Sequence, residues 1–234
     1  MKGIAISFLL IALGLITPCA LADVAEFHTV VGTIQISGTK VKTQGAKSQK
    51  EVVVYLEKVG DQAYPSPPAE PVLLDQKSLV FSPHVMAIQK GSTVAFLNSD
   101  TTEHNIFCAD ETCQIVGNIN SKKPEFLNLG TFAGGEKASY TFERSGEAVI
   151  LCKLHPEMAA YIVVLETPYF TIAEIAEATQ SATFSIDNVP AGEYVVKTWN
   201  KRCESQQQEI TVSAEGADAL KIDLRRKQKR RKRG

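Results

Sequence analysis

Residues 148–165 read Ala148-Val149-Ile150-Leu151-Cys152-Lys153-Leu154-His155-Pro156-Glu157-Met158-Ala159-Ala160-Tyr161-Ile162-Val163-Val164-Leu165. Two aliphatic, β-branched runs, 148–151 and 161–165, flank a short turn that contains Pro156. Brief runs of this kind, bounded by turn residues, are strands. The stretch is therefore strand, tight loop, strand. The same texture recurs at Glu51-Val52-Val53-Val54-Tyr55-Leu56-Glu57, at Thr93 to Leu97, at Phe184-Ser185-Ile186 and from Tyr194 to Trp199. Gly, Pro, Asn and Asp turns separate these runs, which places the chain in the all-β class, built from β-sandwiches. One short helix is expected over Thr171–Thr179, where Ile172, Ile175 and Ala176 share a face.

Two breaks organise the chain. Tyr64-Pro65-Ser66-Pro67-Pro68-Ala69-Glu70-Pro71 contains four prolines, which remove four backbone donors and bar it from a central strand. Thr167-Pro168 is the second break. The block between them, 72–166, suits one small sandwich. The flanks, 24–60 and 169–224, are awkward alone, because the first offers only about two strands, too few to close a core. Joined, they suffice for a second sandwich, so the middle block reads as an insertion into a split outer domain. Trp199 reads as part of the outer core.

The 234 residues carry 25 basic and 26 acidic side chains, a formal net charge of −1. That balance hides an asymmetry. Residues 225–233 hold eight Lys/Arg and no acid, whereas residues 23–224 hold 16 basic and 26 acidic groups, a net −10. The tail, 225–234, reads as a solvated, disordered segment. At the other end, Lys2 precedes a 13-residue apolar run, Ile4 to Ile16, then Pro18 and Ala20-Leu21-Ala22. A basic start, a short apolar run and an A-x-A site describe a secretory signal peptide over 1–22. Pro18 before Cys19 speaks against a lipidated cysteine. The expected location is an exported one, periplasmic or otherwise extracellular, where disulfides persist. Nucleic acid is then no partner. The basic tail offers contact with anionic lipid headgroups or an acidic protein.

The chemistry gathers in the opening stretch. Cys152, His155 and Met158 stand three residues apart directly after a strand, and His104-Asn105 lies upstream beyond Asn98-Ser99-Asp100. A thiolate and a thioether are soft donors and imidazole is intermediate. One Cys, two His and a weak axial Met describe a type 1 (blue) copper electron-transfer site. Three ligands on one tight turn converge on one metal, and His104 supplies the fourth from an adjacent strand end. Zinc accepts Cys and His but is poorly served by Met158. Of the other cysteines, Cys108 and Cys113 are spaced for a local disulfide, with a second metal site at Asp110 or Glu111 as the alternative. Cys203 is left as a free thiol or an intermolecular link. His28 and His84 read as ordinary polar residues.

Phe81-Ser82-Pro83, the run from Lys90 to Asp100, His104-Asn105 and Cys152-x-x-His155-x-x-Met158 together resemble a cupredoxin of the plastocyanin/amicyanin type. The resemblance covers about 72–166. It implies an eight-stranded Greek-key sandwich with copper at one end, an Asn105 behind the ligands that pins their loops together, and electron entry at the exposed edge of His155. The stretch from Cys108 to Pro124 is longer than that family's usual connection. The flanks resemble a carboxypeptidase-regulatory or transthyretin-like sandwich, through Gly32-Thr33-Ile34, Val53-Val54-Tyr55-Leu56 and the run from Phe184 to Tyr194. Chains that combine both modules resemble those labelled methylamine-utilisation or plastocyanin-like. That fold says little about function.

The implied role is a one-electron carrier between redox protein partners, not an enzyme. Multicopper enzymes need further histidines, commonly as His-x-His pairs, and this chain has none of these pairs among its four histidines. Copper delivery or tolerance without electron transfer is the alternative. It favours Met-rich or His-rich tracts, and the chain has three Met in all.

Overall fold

The computed structural model describes residues 26–38, 50–60, 63–114 and 126–227. The signal-peptide reading of 1–22 and most of the basic tail lie outside the described residues. The strands are β1 (Phe27–Ser37), β2 (Glu51–Lys58), β3 (Val72–Lys77), β4 (Val80–Ser82), β5 (Val85–Gln89), β6 (Thr93–Asn98), β7 (His104–Phe107), β8 (Asn128–Phe132), β9 (Lys137–Thr141), β10 (Gly146–Leu151), β11 (Ala159–Leu165), β12 (Phe170–Glu174), β13 (Ser181–Pro190), β14 (Gly192–Trp199), β15 (Gln207–Val212) and β16 (Leu220–Arg225). The fold is all-β.

Strands β3 to β11 form two sheets, ordered β4-β3-β6-β9 and β5-β11-β10-β7-β8. The chain crosses between them, so β3 lies parallel to β6 and β5 parallel to β11. Alternation along each strand sends one face inward: in β6, Val94, Phe96 and Asn98 are buried while Thr93, Ala95 and Leu97 are not. The inward residues, among them Leu74, Phe96, Ile106, Phe142, Ile150 and Ile162, make one core. Among the described residues the block has nine strands, one more than the resemblance implies, because the three-residue β4 folds back onto β3.

The remaining strands build a second pair of sheets, β13-β1-β16 and β12-β2-β14-β15. β1 lies between β13 and β16, and β2 between β12 and β14, so among the described residues both early strands pair with partners beyond residue 169. Val30, Ile34, Leu56, Phe184, Tyr194 and Leu224 fill the space between these sheets.

Three sequence expectations change. Residues 170–174 form strand β12, not the start of a helix: they pair residue by residue with β2, from Phe170 opposite Tyr55 to Glu174 opposite Glu51. A helix of so few residues is marginal, whereas the waiting edge of β2 satisfies the backbone at once. Trp199 leaves the outer core. It joins a third cluster in which Val53, Val85, Val163 and Leu165 are buried between the two sandwiches. The solvated-tail reading fails for residues 225–227, because Arg225 closes β16 and the N–H groups of Arg226 and Lys227 donate to Ser37 O and Arg202 O.

Candidate metal centre

The ligand-type residues sit where strands end. His104 opens β7, Cys152 follows β10 by one residue, and Met158 immediately precedes β11. β10 and β11 run antiparallel from Leu151 opposite Ala159, so the loop 152–158 is a closed hairpin loop with its ends pinned. Inside it, the Met158 N–H donates to His155 O at 3.0 Å, a tight turn that Pro156 favours. β10 pairs with β7 through Leu151 and Phe107, which brings the loop beside His104.

The result is a cluster of three donor atoms. Cys152 Sγ lies 3.8 Å from His104 Nδ1 and 3.7 Å from His155 Nδ1, and the two ring nitrogens are 3.1 Å apart. A metal with bonds of about 2.0–2.3 Å to such donors, at angles of about 100–120°, would set them about 3–4 Å apart, so the spacing fits one ion. His104 is fully buried, Cys152 nearly so, and His155 half-buried. Met158 is buried at 1% exposure and packs in the core of the block, at the end of the same loop.

Around these atoms the shell is already built. The Asn105 N–H donates to Cys152 Sγ at 3.4 Å. The Asn105 side chain turns the other way: its amide N–H groups donate to Asn128 Oδ1 at 3.1 Å and Gly130 O at 2.7 Å, while its buried Oδ1 has no partner among the described residues. The link between β7 and the cysteine thus runs through backbone, and the side chain ties β7 to β8. His104 Nε2 donates to Asp100 Oδ2 at 2.8 Å, which leaves Nδ1 as the bare nitrogen facing Cys152 and His155. Burial would raise the Asp100 pKa, but the Leu79 N–H, the His104 ring and the Ser78 N–H outweigh it and hold the carboxyl below its ordinary value.

The Cys108–Cys113 disulfide is formed, and both residues are fully buried. Asp110 between them accepts the Val149 N–H at 2.7 Å, so the small loop is fastened to the strand that delivers Cys152. That pairing removes the alternative of a second metal site there. Cys203 is a buried thiol whose pKa burial pushes up, and among the described residues it faces no second cysteine. His84 places Nδ1 3.1 Å from Ala159 O and its ring edge-on to Tyr161. Asp100 is the residue that sequence reasoning missed. Its spacing of four residues from His104 was the available signal, but the turn it also serves lies 22 positions earlier.

Residues 71–165 match the profile of the copper binding proteins of the plastocyanin/azurin family. This block is a cupredoxin. Copper is accordingly the metal of the centre, and its donor set of one thiol and two imidazoles suits it. No curated protein matches the chain. Among solved structures, a Cu-containing nitrite reductase from Thermus scotoductus is 28% identical, with a TM-score of 0.35, over 47% of this chain and 25% of its own. An oxidised amicyanin mutant is 20% identical, with a TM-score of 0.33, over 40% of this chain and 81% of its own. A purple cupredoxin from Nitrosopumilus maritimus is 23% identical, with a TM-score of 0.32, over 40% of this chain and 98% of its own. The chain thus spans only a quarter of the nitrite reductase it matches. No helix among the described residues is long and apolar enough to cross a membrane.

Proposed function

We propose that the protein is an exported one-electron carrier whose copper would be held by His104, Cys152, His155 and Met158. One observation supports this most: the three donor atoms already converge at 3.1–3.8 Å on the ends of paired strands. Bound copper supplies a one-electron couple. The chain supplies the rest. β7, β10 and β11 hold the donors so that little moves when the charge changes, and the Asn105 N–H steadies the thiolate sulfur. His155 is the half-buried ligand, and Leu154 beside it is 49% exposed, so electrons would enter along this edge of the loop from a transiently docked redox protein.

In this reading residues 1–22 direct export to the periplasm, and the tail beyond Lys227 touches anionic membrane or an acidic partner. The outer sandwich, transthyretin-like in sequence, serves as a rigid support. Adding one equivalent of Cu(II) to the chain from Asp23 onward tests the centre. The expected result is an intense visible thiolate-to-copper band, narrow EPR hyperfine splitting, and repeated reduction and reoxidation with the metal retained. Copper that binds but leaves to a chelator on reduction would replace electron transfer by copper delivery. A pale spectrum would remove the ligand assignment.

A further inference from the structure

The β3–β4 hairpin turns through two residues, Ser78 and Leu79, both in the left-handed region at φ 55° and 58°. A two-residue turn of this type favours Asn-Gly, and neither residue here is suited to it. Both N–H groups point at one carboxylate: Ser78 donates to Asp100 Oδ1 at 2.6 Å and Leu79 to Asp100 Oδ2 at 3.0 Å. The same Oδ2 accepts His104 Nε2 at 2.8 Å. Three donors from two distant segments therefore meet on one side chain, itself only 15% exposed.

Asp100 is in turn fixed from behind. Its N–H donates to Asn98 Oδ1 at 3.0 Å, and the buried Asn98 amide donates to Thr102 O and Phe132 O at 2.9 and 3.0 Å. The backbone of Gly134 runs so close that a Cβ there would stand 2.2 Å from Asp100 O. This rigidity exceeds what closing a surface turn requires. Strain held in place by a surrounding network is a mark of functional positions.

We infer that Asp100 is a positioning residue for the metal centre, which locks His104 in the tautomer with a bare Nδ1 and couples that ligand to the β3–β4 turn. The inference rests on His104 being a copper ligand, as proposed above. A carboxylate behind a metal-bound imidazole fixes the ring and makes it a stronger donor. It therefore favours Cu(II) over Cu(I) and lowers the reduction potential. The turn is the other end of the same link. Leu79 is 40% exposed at its tip, and a single side chain, Asp100, joins its N–H to His104.

The test separates the two ends. Ser78→Asn with Leu79→Gly gives the turn a sequence that needs no carboxylate, and Asp100→Ala is then made in this background and in the parent chain. In the metal-free protein, nitrogen NMR of His104 is expected to show one tautomer, protonated at Nε2, whenever Asp100 is present. Both tautomers are expected once it is removed. With copper, Asp100→Ala should weaken Cu(II) binding by about ten- to a hundredfold and Cu(I) binding less. Each tenfold change in their ratio raises the potential by about 59 mV for a one-electron couple. An unchanged His104 tautomer, or a ratio within about twofold of the parent in the folded Asn-Gly background, overturns the inference. The NMR arm needs no metal. A parent chain that binds no copper would therefore end the carrier reading while still reporting on the Asp100–His104 link.

Discussion

Met158 occupies the last loop position before β11, buried, at the end of the segment that carries Cys152 and His155. A thioether is a soft, weak donor that prefers Cu(I), and the axial ligand is a known lever on the potential of such centres. Replacing it by a harder amide oxygen, Met158→Gln, should keep copper bound and lower the potential. Voltammetry of the blue form checks this, and an unmoved potential would show that Met158 is no ligand. The convergence of Cys152, His155 and His104 was legible because their chemistry is rare and their spacing is local. The role of Asp100 was not. It depends on a hairpin turn at Ser78-Leu79 that carries no Asn-Gly signature, so nothing in the linear pattern joins residue 78 to residue 104.

Strands were readable where alternation was clean, as in β6 and β14, and misread where a strand was short and irregular. β12 shows the failure: Ile172 and Ile175 suggest a helical face, but the open edge of β2 decides the conformation. β14 carries a second consequence. Tyr194 is 1% exposed and donates its hydroxyl to Pro190 O at 2.9 Å, with Tyr169 edge-on beside it. Burial, then the neighbouring phenols Tyr169 and Tyr64, push its pKa up to about 12. A raised tyrosine pKa means that the folded state holds its proton longer than the unfolded state, whose value is about 10. The stabilisation is therefore complete below about pH 10 and is lost as pH climbs towards the folded value. A tenfold difference in proton affinity between the two states is worth about 1.4 kcal/mol, so the loss over that window is at most about 2–3 kcal/mol. Urea unfolding between about pH 9 and 11.5 should show this decline. Tyr194→Phe should flatten much of it, at a cost of about 1 kcal/mol at neutral pH for the lost hydrogen bond. An identical slope in the variant would remove Tyr194 from the explanation.

At the scale of the whole molecule, the two sandwiches meet on the outer face of β5 and β11. Residues 161, 163 and 165 of β11 point away from the cupredoxin core and pack with Val53, Phe170 and Trp199. Trp199 Nε1–H donates to Glu147 Oε2 at 3.1 Å, and Lys201 pairs with the same carboxylate while lying over the Tyr161 ring. Burial in cores was visible in the sequence pattern. This junction was not, because a strand that is apolar on both faces does not say which partner covers each. The junction holds the cupredoxin and outer sandwiches together, and the charge asymmetry then acts on one object, an acidic body with a basic end. Arg225 to Lys227 belong to the fold, and Lys229, Arg230, Arg231, Lys232 and Arg233 follow them in sequence. Basic residues near an anionic membrane contribute about 1 kcal/mol each, so five of them suffice for reversible attachment, screened by salt over about 8 Å at physiological ionic strength. Ending the chain at Lys227 preserves the hydrogen bonds of β16 and removes only these charges. Co-sedimentation with vesicles rich in phosphatidylglycerol should retain the full chain at low salt, release it at high salt, and leave the shortened chain in solution with its copper spectrum intact. Equal retention of both chains would place the attachment elsewhere on the body. Retention of neither would remove the membrane reading of the tail.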